Sequence, residues 1–369
     1  MKKMKISVDL DLELREAVAL YEREQVFVLT DENVRQNCLS IVQQTLSLPE
    51  NNILVIAAGD ENKNLDTLSW IWTQLSNRHA TRHSLLINLG GGMVTDIGGF
   101  AASTFKRGIH FVNIPTTLLA CVDAAVGGKC AINFNGLKNE IGLIKLPDEI
   151  IVCPPFFATL SEQQFLSGYA EMLKHGLISS DIDTNILLSF NLDEFFANIS
   201  KPIITDEIGN ESVNPFLENF IHMLSRSIEI KQYIVDQDIE ESSLRKSLNF
   251  GHTVGHALET LSLHKGQALP HGYAVMYGMI AELYLSVAKL NFPTQKLQRV
   301  ITFMIDNYGK PSCQCKKYEL LYDLMLHDKK NLNSSEVNFT LLADVGRPRV
   351  NQIASKNEIF EALDFLLNL

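Results

Sequence analysis

The sequence predicts an α/β domain followed by an all-α domain, and three observations lead there. Up to about residue 155, short apolar runs alternate with stretches of helical spacing. That alternation marks strands joined by helices, and therefore a mostly buried parallel sheet with helices on both faces. Beyond Cys153-Pro154-Pro155 the apolar residues recur at helical period almost to the end. The 369 residues also suit two ordinary domains better than one. The boundary falls near residues 155–160, so the expected domains are 1–157 and 158–369.

In chain order, residues 5–10 read as a strand. Residues 26–30 form an apolar run that ends at Asp31-Glu32-Asn33, a helix-start signal. Residues 53–58 read as a buried strand and 65–75 carry helical spacing. The strand over 84–89 runs straight into Gly90-Gly91-Gly92, with a helix over 93–103. Residues 110–114 are strand-like and stop at Pro115. In the second half, helices are expected over 162–177, 215–236, 253–261, 273–288, 294–308, 318–326 and 356–367. Residues 337–342 are the one clear strand, and the polar stretch 195–214 reads as an irregular surface connection.

Composition narrows the function. Hydrophobic residues make up 46% and charged residues 20%, the profile of a globular protein with sizeable cores. Lys plus Arg is 32 and Asp plus Glu is 43, a net charge of −11. An acidic surface makes nucleic acid and anionic membrane poor partners, yet leaves room for a small anion in a local basic pocket. Residues 1–14 lack the apolar core of a signal peptide, and no apolar run reaches membrane-spanning length. A cytoplasmic location is expected. The six cysteines, Cys38, Cys121, Cys130, Cys153, Cys313 and Cys315, form no C-x-x-C pair and read as reduced thiols.

Four constellations carry chemistry. The strand–Gly90-Gly91-Gly92–helix junction lets backbone approach a phosphate where a helix start offers N–H groups, although it is not G-x-G-x-x-G. Asp31 and Asn33, after an earlier strand, suit nucleotide hydroxyls or a plain helix cap. Gly127-Gly128-Lys129, with Asp123 before it and Lys138-Asn139 after, suits an anion-binding loop. His252 and His256 are four apart and share a helix face. With His271 and with Glu171, a carboxylate on an apolar helix, they form either a metal site with an open position or helix-packing histidines. Asp328-Lys329-Lys330-Asn331 is either a solvated charged face or a further cationic element.

Together these blocks resemble the 3-dehydroquinate synthase family of sugar-phosphate cyclases. The resemblance runs from about Val26 to the end and rests on residues 90–96, Arg107 through Lys138-Asn139, 168–174, Lys231 through His256, His271-Gly272 and Asp328-Lys329-Lys330. It implies a Rossmann-like N-terminal domain and an all-α C-terminal domain. It implies NAD binding by residues 59–63 with Asp60 and Lys63, by residues 91–96 with Gly91, Gly92 and Asp96, by Thr116-Thr117, and by residues 156–159 with Phe156 and Thr159. Asp31, Asn33, Lys129 and Lys138 join that cofactor set. Zinc, or cobalt, falls to Glu171, His252 and His271. Substrate binding and catalysis fall to Asp123, Lys129, Lys138, Asn139, Lys174, Lys231, Arg245, Asn249, His256 and Lys329. Arg107 matches an arginine that enters the neighbouring subunit's site, which implies a homodimer.

The implied reaction starts from 3-deoxy-D-arabino-heptulosonate 7-phosphate. NAD transiently oxidises the C5 hydroxyl, phosphate leaves by β-elimination, hydride returns, and an aldol closure yields 3-dehydroquinate in the shikimate pathway of aromatic amino acid biosynthesis. Four positions depart from the usual family pattern: Asp60 for glutamate, Cys130 for threonine, Leu143-Ile144-Lys145-Leu146 where an aromatic is usual, and Tyr273 for glutamate. The alternatives are another NAD- and metal-dependent sugar-phosphate cyclase, a metal-dependent polyol dehydrogenase, or a non-catalytic paralogue.

Overall fold

The computed structural model describes residues 3–205, 211–264, 266, 268–311, 317–327 and 336–369. The chain divides into two compact units. One comprises Met1–Ser161 and Leu192–Ile228, the other Glu162–Asn191 and Glu229–Leu369.

The first unit is built on a six-stranded sheet. Its strands are β1 (Met4–Ile6), β2 (Val26–Asp31), β3 (Ile53–Ile56), β4 (Leu85–Gly90), β5 (His110–Pro115) and β8 (Glu149–Val152), in the order β1-β8-β5-β4-β2-β3 and parallel throughout. Side chains alternate between two cores. Val26, Val28, Leu85, Ile87 and Leu89 face one core, while Phe27, Leu29 and Leu86 face the other. Helices α1 (Leu10–Val18), α2 (Glu32–Asn37) and α3 (Leu39–Leu46) lie with the first, α4 (Leu65–Asn77) and α5 (Gly92–Thr104) with the second. Strands buried on both sides must be apolar at successive positions, which is why they read as unbroken runs in the sequence.

The strand order reverses between β2 and β4, and both strands end at that crevice. Ligands of open α/β sheets bind at such a switch point, outside the carboxyl ends of the strands. Between β5 and β8 the chain makes an antiparallel hairpin, β6 (Lys129–Phe134) with β7 (Leu137–Ile144). The segment 195–214 differs from its expected irregular form. Helix α8 (Leu192–Asn198) occupies its start, and β9 (Ile203–Thr205) pairs with β10 (Glu211–Val213). Phe195 is fully buried, its ring 4.6 Å from that of Phe220. Polar neighbours mask this one anchor in the sequence.

The second unit is mainly helical: α6 (Glu162–Ser179), α7 (Asp181–Ser189), the latter part of α9 (Pro215–Gln237), α10 (His252–His264), α11 (His271–Leu290), α12 (Thr294–Tyr308), α13 (Tyr318–Leu326) and α14 (Lys356–Leu367). One antiparallel hairpin, β11 (Val337–Leu342) with β12 (Pro348–Ala354), packs on α11. Helix α11 is buried almost all round and touches α6, α10, α12 and α14. A helix apolar on every face belongs at the centre of its unit. Among the described residues no helix is long and apolar enough to cross a membrane.

Candidate functional site

In the second unit three side chains from three helices converge. Glu171 (α6), His252 (first residue of α10) and His271 (first residue of α11) bring one ligand atom each within 4.8 Å of one another. The Nε2 atoms of both histidines lie 3.5 Å from Glu171 Oε1. That oxygen is buried and accepts no hydrogen bond among the described residues. Ligand atoms that share a tetrahedral zinc lie about 3.3 Å apart, so the spacing fits such an ion. The outward ring nitrogens are anchored. His252 Nδ1 donates to the Phe250 carbonyl at 3.1 Å, and His271 Nδ1 meets Glu259 Oε2 at 3.1 Å. Such anchors fix the ring direction and leave Nε2 to bind.

Close helix crossings make this convergence possible. A Cβ on Gly272 would sit 2.0 Å from the Ser167 carbonyl oxygen, and one on Gly278 would sit 2.0 Å from that of Gly251. Glycine at both positions lets α11 touch α6 and the start of α10. The electrostatics are strongly perturbed. Burial alone would raise the Glu171 carboxyl, but Lys174, His252 and His271 outweigh it and hold the group well below the usual range. Burial opposes charge on His271, yet the Glu171 and Glu259 carboxylates push it up to about 10. His256, one turn along α10, brings its ring to 5.3 Å from His252 and 6.0 Å from His271.

Cationic groups gather in the same unit. Lys174 is almost fully buried and donates to Glu171 Oε2; Lys231 (α9) is also buried. Arg245 is 2% exposed, and its guanidinium makes a single hydrogen bond among the described residues, to the Ile239 carbonyl at 2.9 Å. No carboxylate pairs with it among the described residues. A buried guanidinium without an anion is costly, so it marks a place for an anionic ligand. Asn249 donates to Glu241 Oε1 at 3.0 Å.

Sequence reasoning missed Asp238, which organises this segment by accepting from the backbone N–H groups of Ser242, Ser243 and Arg245 at 3.0, 2.7 and 2.9 Å. Burial would raise its carboxyl, but these donors hold it well below the usual range. The only trace in the sequence is an acidic residue before Ser242-Ser243, the composition of a side-chain-capped turn. Lys329 and its neighbours Asp328 and Lys330, together with Cys313 and Cys315, lie outside the described residues.

In the first unit, candidate residues cluster at the carboxyl edge of the sheet. Helix α5 starts at Gly92 after Gly91, with no side-chain cap. A Cβ on Gly91 would touch the Thr117 methyl at 3.4 Å and one on Gly92 would sit 2.9 Å from the Ala124 Cβ, so glycine lets the start of α5 lie close to the segment after β5. Thr116 N–H donates to the Gly90 carbonyl at 3.0 Å, which sets Thr116-Thr117 beside Gly91. Asp31 caps α2 through the N–H groups of Asn33 and Val34 at 2.9 and 3.0 Å, so its Oδ1 serves the fold. The Phe156 ring is spent in the core, which leaves its backbone for contact. Thr159 is exposed, and its hydroxyl donates to the Phe156 carbonyl at 2.7 Å.

Lys63 links the cofactor and hairpin candidates. Its buried ammonium donates to Asp96 Oδ2 at 3.1 Å and to Asn139 Oδ1, and lies 3.5 Å from Asp60. Lys138 lies 3.7 Å from Asp60, and Asn133, another residue missed from the sequence, bridges Asp60 to Asn139. Lys129 is exposed at the start of β6, and Asp123 sits half-buried in the turn after Thr117. Arg107 is exposed beside Lys106, and both adopt left-handed backbone (φ 69° and 49°). Of the departures from family pattern, Cys130 is buried against Gly99 and Tyr273 packs edge-on to Tyr308 at 4.9 Å.

Burial lifts the Asp96 carboxyl from 3.8 to about 6, against the pull of Lys63. The folded state therefore favours the protonated acid, and its stabilising effect is fully present below about pH 4 and lost as pH rises through about 6. The loss is on the order of 3 kcal/mol. Asp96→Asn should flatten that slope and raise the thermal midpoint at pH 7, with parent and variant converging in acid. Calorimetry across the window checks this, and parallel curves would sink it.

Comparisons with known proteins complete the description. The 3-dehydroquinate synthase N-terminal family matches residues 53–167, and the 3-dehydroquinate synthase C-terminal family matches residues 168–331. A 3-dehydroquinate synthase of Parabacteroides distasonis is 44% identical over 364 residues, covering 99% of this chain and 97% of its own. That of Clostridium tetani is 32% identical over 378 residues, covering 99% and 92%. Among solved structures, a 2-epi-5-epi-valiolone synthase from Streptomyces hygroscopicus with NAD+ and Zn2+ bound superposes with a TM-score of 0.81 at 22% identity, covering 99% and 96%. A 2-deoxy-scyllo-inosose synthase complexed with carbaglucose-6-phosphate, NAD+ and Co2+ gives 0.78 at 21%, covering 98% and 95%. At these identities the structural likeness establishes the fold.

Proposed function

From the chain's membership of the 3-dehydroquinate synthase family, we propose that it converts 3-deoxy-D-arabino-heptulosonate 7-phosphate to 3-dehydroquinate and inorganic phosphate, with NAD and a zinc or cobalt ion. The observation that carries the reading is the buried Glu171 Oε1, which accepts no hydrogen bond among the described residues and faces two histidine Nε2 atoms. A carboxylate oxygen in that position costs free energy unless a cation meets it. For NAD, the fit is the glycine-rich start of α5, without a side-chain cap, at a sheet switch point.

When bound, NAD supplies a reversible hydride acceptor and the metal supplies Lewis acidity toward substrate hydroxyls. The protein's own residues bind and orient. Glu171, His252 and His271 hold the metal, with the Phe250 carbonyl and Glu259 fixing both imidazoles. Gly91, Gly92 and Thr116-Thr117 present backbone to the cofactor pyrophosphate, and Asp31, Asn33, Asp60, Lys63, Asp96, Phe156 and Thr159 complete its surroundings. Arg245, with Lys231, Asn249 and His256, receives the substrate carboxylate, the feature that separates this substrate from those of carboxylate-free cyclases. Binding of the substrate phosphate and hydroxyls is assigned, as the family resemblance implies, to Asp123, Lys129, Lys138, Asn139, Lys174 and Lys329, most of them cations suited to a developing leaving-group charge. The reaction is redox neutral overall, so no NADH accumulates.

NAD binding is assigned to the expected domain 1–157 and metal binding to the expected domain 158–369; residues 192–228 of the latter cluster with the first unit. Exposed Leu137, Ile141 and Ile144 on β7 support self-association, and Arg107 is assigned to a neighbouring copy's site in a homodimer. Sedimentation should report a dimer, and Arg107→Ala should lose turnover while remaining dimeric. Unchanged turnover would remove Arg107 from the site. Free, buried Cys38, Cys121, Cys130 and Cys153 suit a cytoplasmic setting.

The deciding assay follows phosphate release from 3-deoxy-D-arabino-heptulosonate 7-phosphate with NAD and zinc, coupled to dehydroquinase. Phosphate and dehydroquinate should appear in equal amounts, stop with chelator, and leave no net NADH. No turnover in protein that still binds zinc and NAD would redirect the reading to a cyclase of carboxylate-free sugar phosphates.

A further inference from the structure

Glu282 is the strongest unassigned group in the second unit. It lies on α11, fully buried, and is absent from every constellation above. Its Oε2 accepts the Gly251 N–H at 2.7 Å, and its Oε1 accepts those of Thr253 and Val254 at 3.1 and 3.3 Å. These donors belong to the entry of α10, which begins with His252. The first N–H groups of a helix lack intrahelical acceptors and favour an anion. The residue before His252 is Gly251, left-handed at φ 80° and without a side chain to cap the helix. The acceptor therefore comes from another helix, the one that also carries His271.

One of these bonds reaches the ligand directly. The Gly251 N–H and the Phe250 carbonyl belong to the same peptide group. Glu282 holds its N–H end, and His252 Nδ1 donates to its carbonyl end. A carbonyl only accepts, so Nδ1 carries a proton and Nε2 is the nitrogen turned toward Glu171. Hydrogen bonds in such a chain polarise one another, and outer partners of metal-binding histidines fix ring orientation and basicity. We propose that Glu282 is a positioning residue for the metal, acting through the Phe250–Gly251 peptide to aim His252. The inference rests on the metal reading above.

The test uses the full-length protein, stripped of metal and titrated with Zn2+ against a chromophoric chelator. Glu282→Gln keeps the size but replaces one acceptor with a donor. It should weaken zinc binding roughly 10–100-fold, change the visible absorption of the Co2+-loaded protein, and recover near-parental kcat with excess zinc. Ser286→Ala is the control: Ser286 bonds the Glu282 carbonyl and the Leu342 N–H, away from the relay. It should lower the thermal midpoint without moving zinc affinity. Should Glu282→Gln not fold, Glu282→Asp, too short to span both ends, is read in the same way. Unchanged affinity and spectrum, or an equal loss in Ser286→Ala, would overturn the positioning role and leave the metal site standing. A parent protein that binds no zinc would overturn both.

Discussion

His271→Ala loses zinc and nearly all turnover: this is the largest effect expected of any single substitution. The imidazole contributes one of three converging ligand atoms, 3.5 Å from Glu171 Oε1, and its other nitrogen engages Glu259. Removing it leaves Glu171 and His252, too few ligands to hold an ion against water. Lewis-acid stabilisation is worth several kcal/mol, so turnover should fall about a thousandfold or more. Metal analysis of the purified variant should show zinc dropping from one equivalent to almost none. NAD affinity, assigned above to other residues, should not change. Retained zinc with unchanged activity would defeat the ligand assignment.

The second large effect has two parts of opposite sign. Arg245→Met should cut kcat/KM about 10²–10³-fold, the scale for deleting one member of a buried charged pair. Thermal stability should hold or rise, because the parent carries a nearly buried guanidinium with one neutral acceptor among the described residues. A structural arginine would behave the other way, destabilising on removal with little effect on the folded enzyme's rate. Arg245→Lys should recover only part of the loss, since an ammonium cannot engage a carboxylate bidentately. Steady-state kinetics alongside a thermal melt separate the two cases, and a destabilised variant with normal kcat/KM would remove Arg245 from the substrate site.

Much of this was legible in the residues, and for identifiable reasons. The parallel sheet was visible because strands buried on both faces carry apolar residues at successive positions, as over 26–29 in β2 and 85–87 in β4. The helix after Gly90-Gly91-Gly92 was visible because a strand, a glycine turn and a helical period stand in immediate succession. Short amphipathic elements were not. Helix α8 and the β9–β10 pair hide in a polar stretch, since a seven-residue helix with one fully buried aromatic carries almost no periodic signal. The strand expected over 5–10 is shorter, β1 (Met4–Ile6), and helix α1, capped by Asp9, begins at Leu10 without a counterpart in the sequence reading.

The sequence by itself determined the fold class, the family and the residue types that the chemistry requires, because local patterning and ordered motifs are properties of the chain. Only the tertiary structure decided which groups meet. Glu171, His252 and His271 are separated by 81 and 19 residues (252 − 171 and 271 − 252), and helix crossings at Gly272 and Gly278 bring them together. It likewise assigned Asp31 to a helix cap, left Arg245 without an anion among the described residues, and linked Glu282 to His252 through one peptide group. The physical reason is common to all of them. A buried polar group must find its partner in space, and that partner is chosen by packing rather than by distance along the chain.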